Sequence, residues 1–229
     1  MTEGFHPRLD VLPSAQQRLW PELRAATSLG FVLYGGTAIA LHLGHRPSVD
    51  FDFFSEHSLN RDRLRTSFPF IGRSTMLQDR SDAFTVLVPS AATPTEEVRV
   101  SFFGPIGFGR VGEPRMTSDG VMQVASLDDL MATKLKVILQ RVEAKDYRDV
   151  AAMVRAGVDL AKGLSSARAM YGRTFQPSES LKALVYFEGG DLETLMDADR
   201  HTLIGAVGAV RELPAVTMAS RSLQKPVEG

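Results

Sequence analysis

The strongest constraint on the fold of this chain is a short alternation of acidic and aromatic residues, Asp50-Phe51-Asp52-Phe53-Phe54. A strand from Val49 to Phe54 would direct the two aspartates to one face, and Val49 with the alternate phenylalanines into the core. The bulky apolar residues predict an interior strand. Two carboxylates about 7 Å apart on one face can bind Mg²⁺ together with the oxygens of a nucleoside triphosphate. The alternative interpretation is a solvated strand face.

Fifteen residues before Asp50, the run Gly35-Gly36-Thr37 follows a predicted strand at residues 31–34. A helix is predicted from Thr37 to Leu43, and Gly44 ends it. Glycines at the start of a helix let backbone N–H groups approach a phosphate closely, and the Thr37 hydroxyl is a further candidate donor. A tight turn without a ligand is the alternative interpretation of the glycine pair.

The turn between this helix and the acidic strand contains further candidates. Arg46 and Ser48 are candidate phosphate contacts, although both residue types are also common at protein surfaces. His42 and His45 are three residues apart, close to the spacing of metal ligands. Without a third histidine or a cysteine nearby, they are interpreted as packing and turn residues.

Composition excludes several classes of protein. The 229 residues are 44% hydrophobic and 23% charged, as is usual for a globular protein, and no apolar run is long enough to span a membrane. The absence of cysteine excludes disulfides, thiolate zinc sites and cysteine nucleophiles. The start of the chain lacks the pattern of a signal peptide, so a cytoplasmic location is expected. A net charge of -1 means that any contact with nucleic acid must come from a local patch.

The remaining pattern predicts an α/β (α+β) fold, with a small mixed sheet followed by a mainly helical lobe. We expect two domains, an α/β domain at residues 1–125 with an N-terminal helix, and a helical lobe at residues 126–229 with a fraying tail from Met218. The predicted helices are Ser14–Thr27, Asn60–Thr66, Leu127–Arg141 and Asp146–Ala156, and the further predicted strands are Phe84–Val88 and Val98–Phe103.

A second charged cluster lies in the predicted helical lobe. Lys134 and Arg141 are seven residues apart, so on one continuous helix they would form a basic stripe able to bind a triphosphate. Asp146 and Asp149 lie one turn apart on the following helix. The alternative is a solvated helix with ordinary ion pairs, such as Lys145 with Asp149.

Residues 31–54, with the Gly35-Gly36-Thr37 turn and the Asp50/Asp52 pair, and residues 134–149 together resemble the AbiEii/AbiGii toxin family. This family belongs to the DNA polymerase beta-like nucleotidyltransferase superfamily, and its members are toxins of type IV toxin–antitoxin pairs. The resemblance covers residues 31–156. It implies Mg²⁺-dependent transfer of a nucleoside monophosphate from an NTP to an acceptor, with tRNA as the expected acceptor, and a cognate antitoxin protein as partner.

The resemblance also assigns roles to individual residues. Gly36 and Thr37 match the phosphate-binding turn, to which Gly35, Arg46 and Ser48 are added as nucleotide-binding candidates, and Asp50 and Asp52 match the metal-binding pair. Lys134 matches the lysine of the third motif and Arg141 its arginine. Asp146 and Asp149 match the acidic residues of the last motif, with Asp149 as a candidate base or supporting carboxylate.

One position departs from the superfamily pattern. A third carboxylate is expected on a later strand, and its equivalent in this chain is Ser101, which cannot supply that charge. Two alternatives to an RNA-modifying toxin therefore stay open. One is an NTP-binding regulatory or interaction module that has lost transfer, and the other is a nucleotidyltransferase that acts on a protein or a small molecule.

Overall fold

The computed structural model describes residues 5–90, 92 and 96–225. The chain forms two compact units. The first contains the described residues of 1–109, 113–125 and 221–225, and the second contains residues 110–112 and 126–220. Compact units are not by themselves domains, so the division into domains 1–125 and 126–229 stays a prediction.

The first unit begins with a broken helix rather than the single one predicted. The helix α1 covers Ser14–Leu19, a 3₁₀ turn follows at Trp20–Leu23, and α2 covers Ala25–Ser28. Pro21 explains the break, because proline lacks the N–H that an α-helix needs and its ring clashes with the preceding turn. The other helices of this unit are α3 (Gly35–Leu43) and α4 (Arg61–Ser67), and further 3₁₀ turns cover Leu9–Val11 and Pro69–Arg73.

A seven-stranded mixed sheet forms the centre of the first unit, with the strand order β3-β4-β5-β2-β1-β7-β6. The strands are β1 (Val32–Tyr34), β2 (Asp50–Phe54), β3 (Thr75–Arg80), β4 (Ala83–Pro89), β5 (Glu97–Phe103), β6 (Arg115–Met116) and β7 (Gln123–Val124). The acidic strand β2 lies inside the sheet, parallel to β5 and antiparallel to β1. The mixed α/β fold and the interior position of the acidic strand are as predicted.

Aromatic side chains fill the face of the sheet opposite the aspartates. Phe51, Phe53 and Phe102 are fully buried, and the Phe102 ring lies 5.5 Å from Phe53 and 5.0 Å from Phe68, measured between centroids. Burial of such rings supplies most of the stabilisation of a core of this kind. Val49 was predicted to join this core, but it is 57% exposed, because the strand begins only at Asp50 and Val49 has no cross-strand neighbour.

The end of the described chain returns to the first unit. Leu223 is buried, Ser222 Oγ and the Leu223 amide donate to the carboxylate of Glu56, and the Lys225 amide donates to the Gln123 side chain. The prediction of a fraying tail from Met218 is therefore wrong for residues 221–225, because these contacts cannot be read from local sequence. The last four residues of the predicted tail, 226–229, lie outside the described part of the chain.

The second unit is helical. Its α-helices are α5 (Leu127–Val137), α6 (Ala144–Arg155), α7 (Leu160–Tyr171), α8 (Pro177–Val185) and α9 (Asp197–Ala209), with 3₁₀ turns at Gly172–Thr174 and Leu192–Thr194. Helices α5 and α7 pack closely at Gly163, where an added Cβ would lie 2.4 Å from Met131 Cγ. Among the described residues, none of the helices combines the length and apolar character needed to cross a membrane.

Candidate active site

The two aspartates of β2 lie on one face of the sheet. Asp50 and Asp52 alternate with the fully buried Phe51 and Phe53, and both are partly exposed, the Asp50 side chain by 28%. Strand alternation therefore places two hard oxygen donors side by side, where water or a ligand can reach them. In the described residues, no group of three or more histidine, cysteine or acidic side chains is arranged to bind a metal, so further ligands would have to come from substrate or water.

Gly35 touches one of these carboxylates. It is the first residue of α3, has a φ of +75°, and follows Tyr34, which pairs with Asp52 across β1 and β2. A Cβ added to Gly35 would lie 2.6 Å from Asp52 Oδ2. Glycine is required here for two reasons: its backbone conformation is costly for other residues, and a side chain would occupy the place of the carboxylate.

The hydroxyl of Thr37 is used within the protein. Thr37 is buried, its Oγ1 donates to the backbone carbonyl of Asp50, and it lies 2.9 Å from Ser48 Oγ, which is also buried. Because a hydroxyl has only one proton, the Ser48 hydroxyl donates to Thr37 Oγ1. Both side chains therefore fix the start of β2 relative to α3. The sequence proposed both residues as nucleotide-binding candidates, and that role stays a prediction.

The turn between α3 and β2 begins at Gly44 as predicted, and it ends one residue later than predicted because β2 begins at Asp50. Gly44 ends α3 in the left-handed conformation, with a φ of 65°. Arg46 donates from Nη1 to the carbonyl of Pro47 at 2.9 Å. His42 lies 4.3 Å from the Phe5 ring between centroids and hydrogen-bonds to the Ala125 carbonyl, in agreement with a packing role. Burial lowers the pKa of His42 to about 4, so the ring is neutral near pH 7.

The second charged cluster differs from its prediction. Helix α5 ends at Val137, where the last turn tightens to bonds from the Leu139 and Gln140 amides to carbonyls three residues earlier. Arg141 therefore does not share a continuous helix with Lys134, and the predicted basic stripe is wrong in its geometry. The two side chains meet instead at one carboxylate: Lys134 Nζ lies 2.6 Å from Asp146 Oδ1, and Arg141 Nε lies 2.8 Å from Asp146 Oδ2.

Asp149 completes this buried network. Its Oδ2 lies 2.7 Å from Lys134 Nζ, and the side chains of Asp146 and Asp149 are fully buried. Burial favours a raised pKa for Asp146, but the hydrogen bond from Arg141 and the charge of Lys134 outweigh it and hold the pKa below its ordinary value. The alternative pair of Lys145 with Asp149 does not form, because Lys145 contacts Glu143 at 2.7 Å.

Arg99 is a residue that the sequence did not single out. The register of β2 and β5 pairs Asp50 with Arg99 and Asp52 with Ser101. Arg99 Nε lies 3.5 Å from Asp50 Oδ1, and its side chain is 54% exposed. Arg99 lies two residues before Ser101 on the same strand, and this spacing was the one indication in the sequence that the two side chains share a face. The first unit thus brings together Gly35, Thr37, Ser48, both β2 aspartates and Arg99, and the second brings together Lys134, Arg141, Asp146 and Asp149.

The chain is similar to one known protein in sequence and to another in fold. The protein aq_aa25 of Aquifex aeolicus (strain VF5) is 29% identical over 184 residues, which are 77% of this chain and 85% of the relative. The structure of MenT4, the nucleotidyltransferase toxin Rv2826c of Mycobacterium tuberculosis H37Rv, matches with a TM-score of 0.54 at 14% identity. The match covers 83% of this chain and 82% of MenT4, and at this identity it concerns the fold.

The family model described as nucleotidyl transferase AbiEii toxin, type IV TA system, matches residues 20–219. This match extends over most of the chain and includes both charged clusters. It confirms the resemblance and the enzyme class that the sequence predicted. The chain belongs to the AbiEii family of nucleotidyltransferase toxins of type IV toxin–antitoxin systems.

Proposed function

We propose that this protein transfers a nucleoside monophosphate from an NTP to an acceptor hydroxyl, with Mg²⁺ bound by Asp50 and Asp52. The observation that carries the proposal is the pair of partly exposed carboxylates on one face of β2, of which Asp52 lies next to the glycine that opens α3. Two carboxylates fit Mg²⁺ well, since protein sites for this ion commonly use one or two carboxylates and complete the octahedron with phosphate oxygens and water. When bound, the ion neutralises charge on the phosphates and on the leaving group.

The start of α3 is the proposed site for the tail of the triphosphate. The first N–H groups of a helix have no partner within it, and the helix dipole favours an anion there. Gly35 and Gly36 carry no side chain that would block the approach. Thr37 and Ser48 support this arrangement by tying the helix start to the backbone of Asp50.

In the proposed reaction, the acceptor oxygen forms a bond to the α-phosphorus while the bond from the α-phosphorus to the bridging oxygen of pyrophosphate breaks. Pyrophosphate leaves with that electron pair, and the acceptor proton passes to solvent. Positioning of the reactants and neutralisation of charge are the main contributions a protein makes to this kind of transfer. Asp50 and Asp52 would contribute by holding the metal ion on this face of β2, where it would supply charge neutralisation.

For the second cluster, we propose that Lys134 and Arg141 neutralise phosphate charge, as the family resemblance implies. The contacts of Asp146 and Asp149 favour a supporting role, because both carboxylates are fully buried and hold Lys134 Nζ at 2.6 and 2.7 Å. Of the two roles considered for Asp149, base or support, its burial and its ion pair favour support. Arg141 is half-exposed, which suits a residue that contacts a ligand.

The proposed acceptor is tRNA, and the proposed setting is the cytoplasm, where NTPs and tRNA occur together. Membership of a toxin–antitoxin family supports a cognate antitoxin as partner. A second candidate function, an NTP-binding module without transfer, is favoured by one observation: the position paired with Asp52 on β5 is Ser101 rather than a carboxylate. Acceptors of other kinds, a protein or a small molecule, are distinguished from tRNA by the same experiment.

The test is incubation of the purified protein with each α-³²P-labelled NTP, Mg²⁺ and total tRNA, beside Asp52→Asn and the matched control Asp82→Asn in an exposed turn. We expect the wild type and Asp82→Asn to label tRNA and release pyrophosphate, and Asp52→Asn to do neither. If pyrophosphate is released in the presence of a cell extract but tRNA is not labelled, the acceptor is a protein or a small molecule instead. NTP binding without pyrophosphate release under any condition would establish the binding module instead.

A further inference from the structure

On β5, the residues next to the two aspartates are an arginine and a serine. In the parallel register, Arg99 is the neighbour of Asp50 and Ser101 is the neighbour of Asp52. Paired residues on adjacent strands share a face of the sheet, so these four side chains lie on one surface. Ser101 is 3% exposed, whereas the Arg99 side chain is 54% exposed and lies 3.5 Å from Asp50 through Nε.

The strand order places Arg99 on a defined flank of the site. Strand β2 lies between β1 and β5, and α3, with its phosphate-binding start, follows β1. Arg99 is on β5 and therefore lies on the opposite side of the aspartates from α3. If the triphosphate tail lies at α3 and the α-phosphate at the aspartates, Arg99 is on the side from which an acceptor reaches the α-phosphorus.

We propose that this site uses a single divalent cation, and that Arg99 is a catalytic residue that donates to a non-bridging oxygen of the α-phosphate on the acceptor side. This inference rests on the proposed function and specifies its catalytic groups. Arg99 supplies there the positive charge that a second metal would otherwise bring. A planar guanidinium suits this task, because its N–H groups match the spacing of phosphate oxygens and it stays charged at all working pH values.

Two physical reasons exclude a second cation from this flank. A second divalent ion needs oxygen ligands of its own, and Ser101 stands where a carboxylate would have to project. The guanidinium of Arg99 also repels a dication placed beside it, and only water would offset that repulsion. A purely structural role for the ion pair between Arg99 and Asp50 gives a weaker explanation for an arginine at this position. A half-exposed pair of this kind contributes on the order of 1 kcal/mol or less to stability.

The first test measures metal binding directly, with Mn²⁺ as a paramagnetic probe. Mn²⁺ is titrated into the protein and followed by electron paramagnetic resonance, alone and with each α,β-methylene NTP, which cannot transfer its nucleotide. We expect one Mn²⁺ per chain in the wild type. Arg99→Gln should still bind one, about three- to tenfold more tightly, because a repelling charge has been removed. Adding Ser101→Asp to Arg99→Gln should create a second site.

The matched control is Arg80→Gln, which removes an exposed arginine from β3, three strands away from β2. At about 4.8 Å per strand, this charge is roughly 14 Å from the aspartate row and largely screened, so Mn²⁺ affinity should not change. Two bound Mn²⁺ in the wild type, or an Arg99→Gln affinity equal to that of Arg80→Gln, would overturn the proposal. Failure of Mn²⁺ to bind the wild type at all would instead overturn the proposed function.

A kinetic arm separates catalysis from folding. Arg99→Gln should lower kcat for transfer about a hundredfold with little change in KM for the NTP, because the interaction strengthens as charge develops at the α-phosphate. Arg99→Lys should recover part of the loss, since it restores the charge without the planar fork. Equal kcat values for Arg99→Gln and the wild type would also reject the catalytic role.

Discussion

The pair Asp50 and Asp52 in the first unit and the pair Asp146 and Asp149 in the second have the same chemistry in opposite surroundings. The first pair is partly exposed on an open strand face. The second pair is fully buried, and Lys134 lies within 2.7 Å of both carboxylates. A carboxylate already neutralised by buried ion pairs has little capacity left for a metal. The comparison teaches that burial, more than residue type, separates the acidic pair for which we propose Mg²⁺ binding from the pair whose contacts favour a supporting role.

The largest expected effect is on catalysis at the exposed pair. Asp52→Asn keeps the shape of the side chain and removes its charge, so the proposed Mg²⁺ site would lose one of its two protein ligands. We expect transfer to fall at least about a thousandfold, which corresponds to several kcal/mol of lost transition-state stabilisation. The midpoint of urea unfolding should change little, because this side chain is not part of the core. A large loss of stability with retained transfer would reverse the roles assigned to the two pairs.

The next effect concerns the buried pair. Lys134→Met leaves two buried carboxylates without their shared cation, and we expect the free energy of unfolding to fall by about 3–5 kcal/mol. Urea unfolding followed by far-ultraviolet circular dichroism measures this change. The control is Lys162→Met, which removes a half-exposed lysine paired with Asp128 at 2.6 Å and should cost no more than about 1 kcal/mol. Equal losses in the two variants would contradict the structural role of the Lys134 network.

The sequence predicted local features of the site better than long-range ones. The alternation in β2 and the glycine that ends α3 are set by neighbouring residues, and both were predicted correctly. The end of α5 at Val137 was not, because Arg141 and Lys134 bond to Asp146 of the next helix, and such contacts cannot be read from local spacing. Strand β3 was missed since its residues are mostly exposed and show no apolar alternation.

Arg99 was missed for a related reason. Its position beside Asp50 depends on the register between β2 and β5, which are separated by more than forty residues of chain. A shift of one residue in that register would turn Arg99 to the other face of the sheet. The paired strands determine this register, and the spacing of Arg99 two residues before Ser101 was the local indication that the sequence offered.

A smaller effect is expected at Gly35, where the backbone lies next to the Asp52 carboxylate. Gly35→Ala places a Cβ 2.6 Å from Asp52 Oδ2 and imposes a φ of +75° on alanine. We expect a loss of about 1–2 kcal/mol in stability from the backbone strain and more than a tenfold loss of transfer from displacement of the carboxylate. Gly157→Ala is the matched control, because its φ is +89° and nothing lies within 4 Å of the added Cβ. It should lose similar stability and keep full transfer. If both variants lose transfer, backbone strain alone causes the loss, and displacement of the Asp52 carboxylate does not.

The smallest effect concerns His42, a buried ionisable side chain of the first unit that is not a carboxylate. Burial lowers the pKa of His42 to about 4, whereas an unfolded histidine has a value near 6.5. As the pH falls below 6.5 the unfolded state takes up a proton that the folded state refuses, so stability is lost between pH 6.5 and 4. At pH 5.5 this loss is about 1 kcal/mol relative to pH 7.5.

Urea titrations at pH 7.5 and 5.5, followed by fluorescence of the buried Trp20, the single tryptophan of the chain, report on this unit. His42→Gln should remove about 1 kcal/mol of the pH dependence, because glutamine has no proton to gain in this range. His57→Gln, which replaces a side chain that is 70% exposed, should keep the dependence of the wild type. If His42→Gln and the wild type lose equal stability between the two pH values, then burial does not keep His42 neutral. The contrast between exposed and buried ionisable groups would then have to rest on the four aspartates alone.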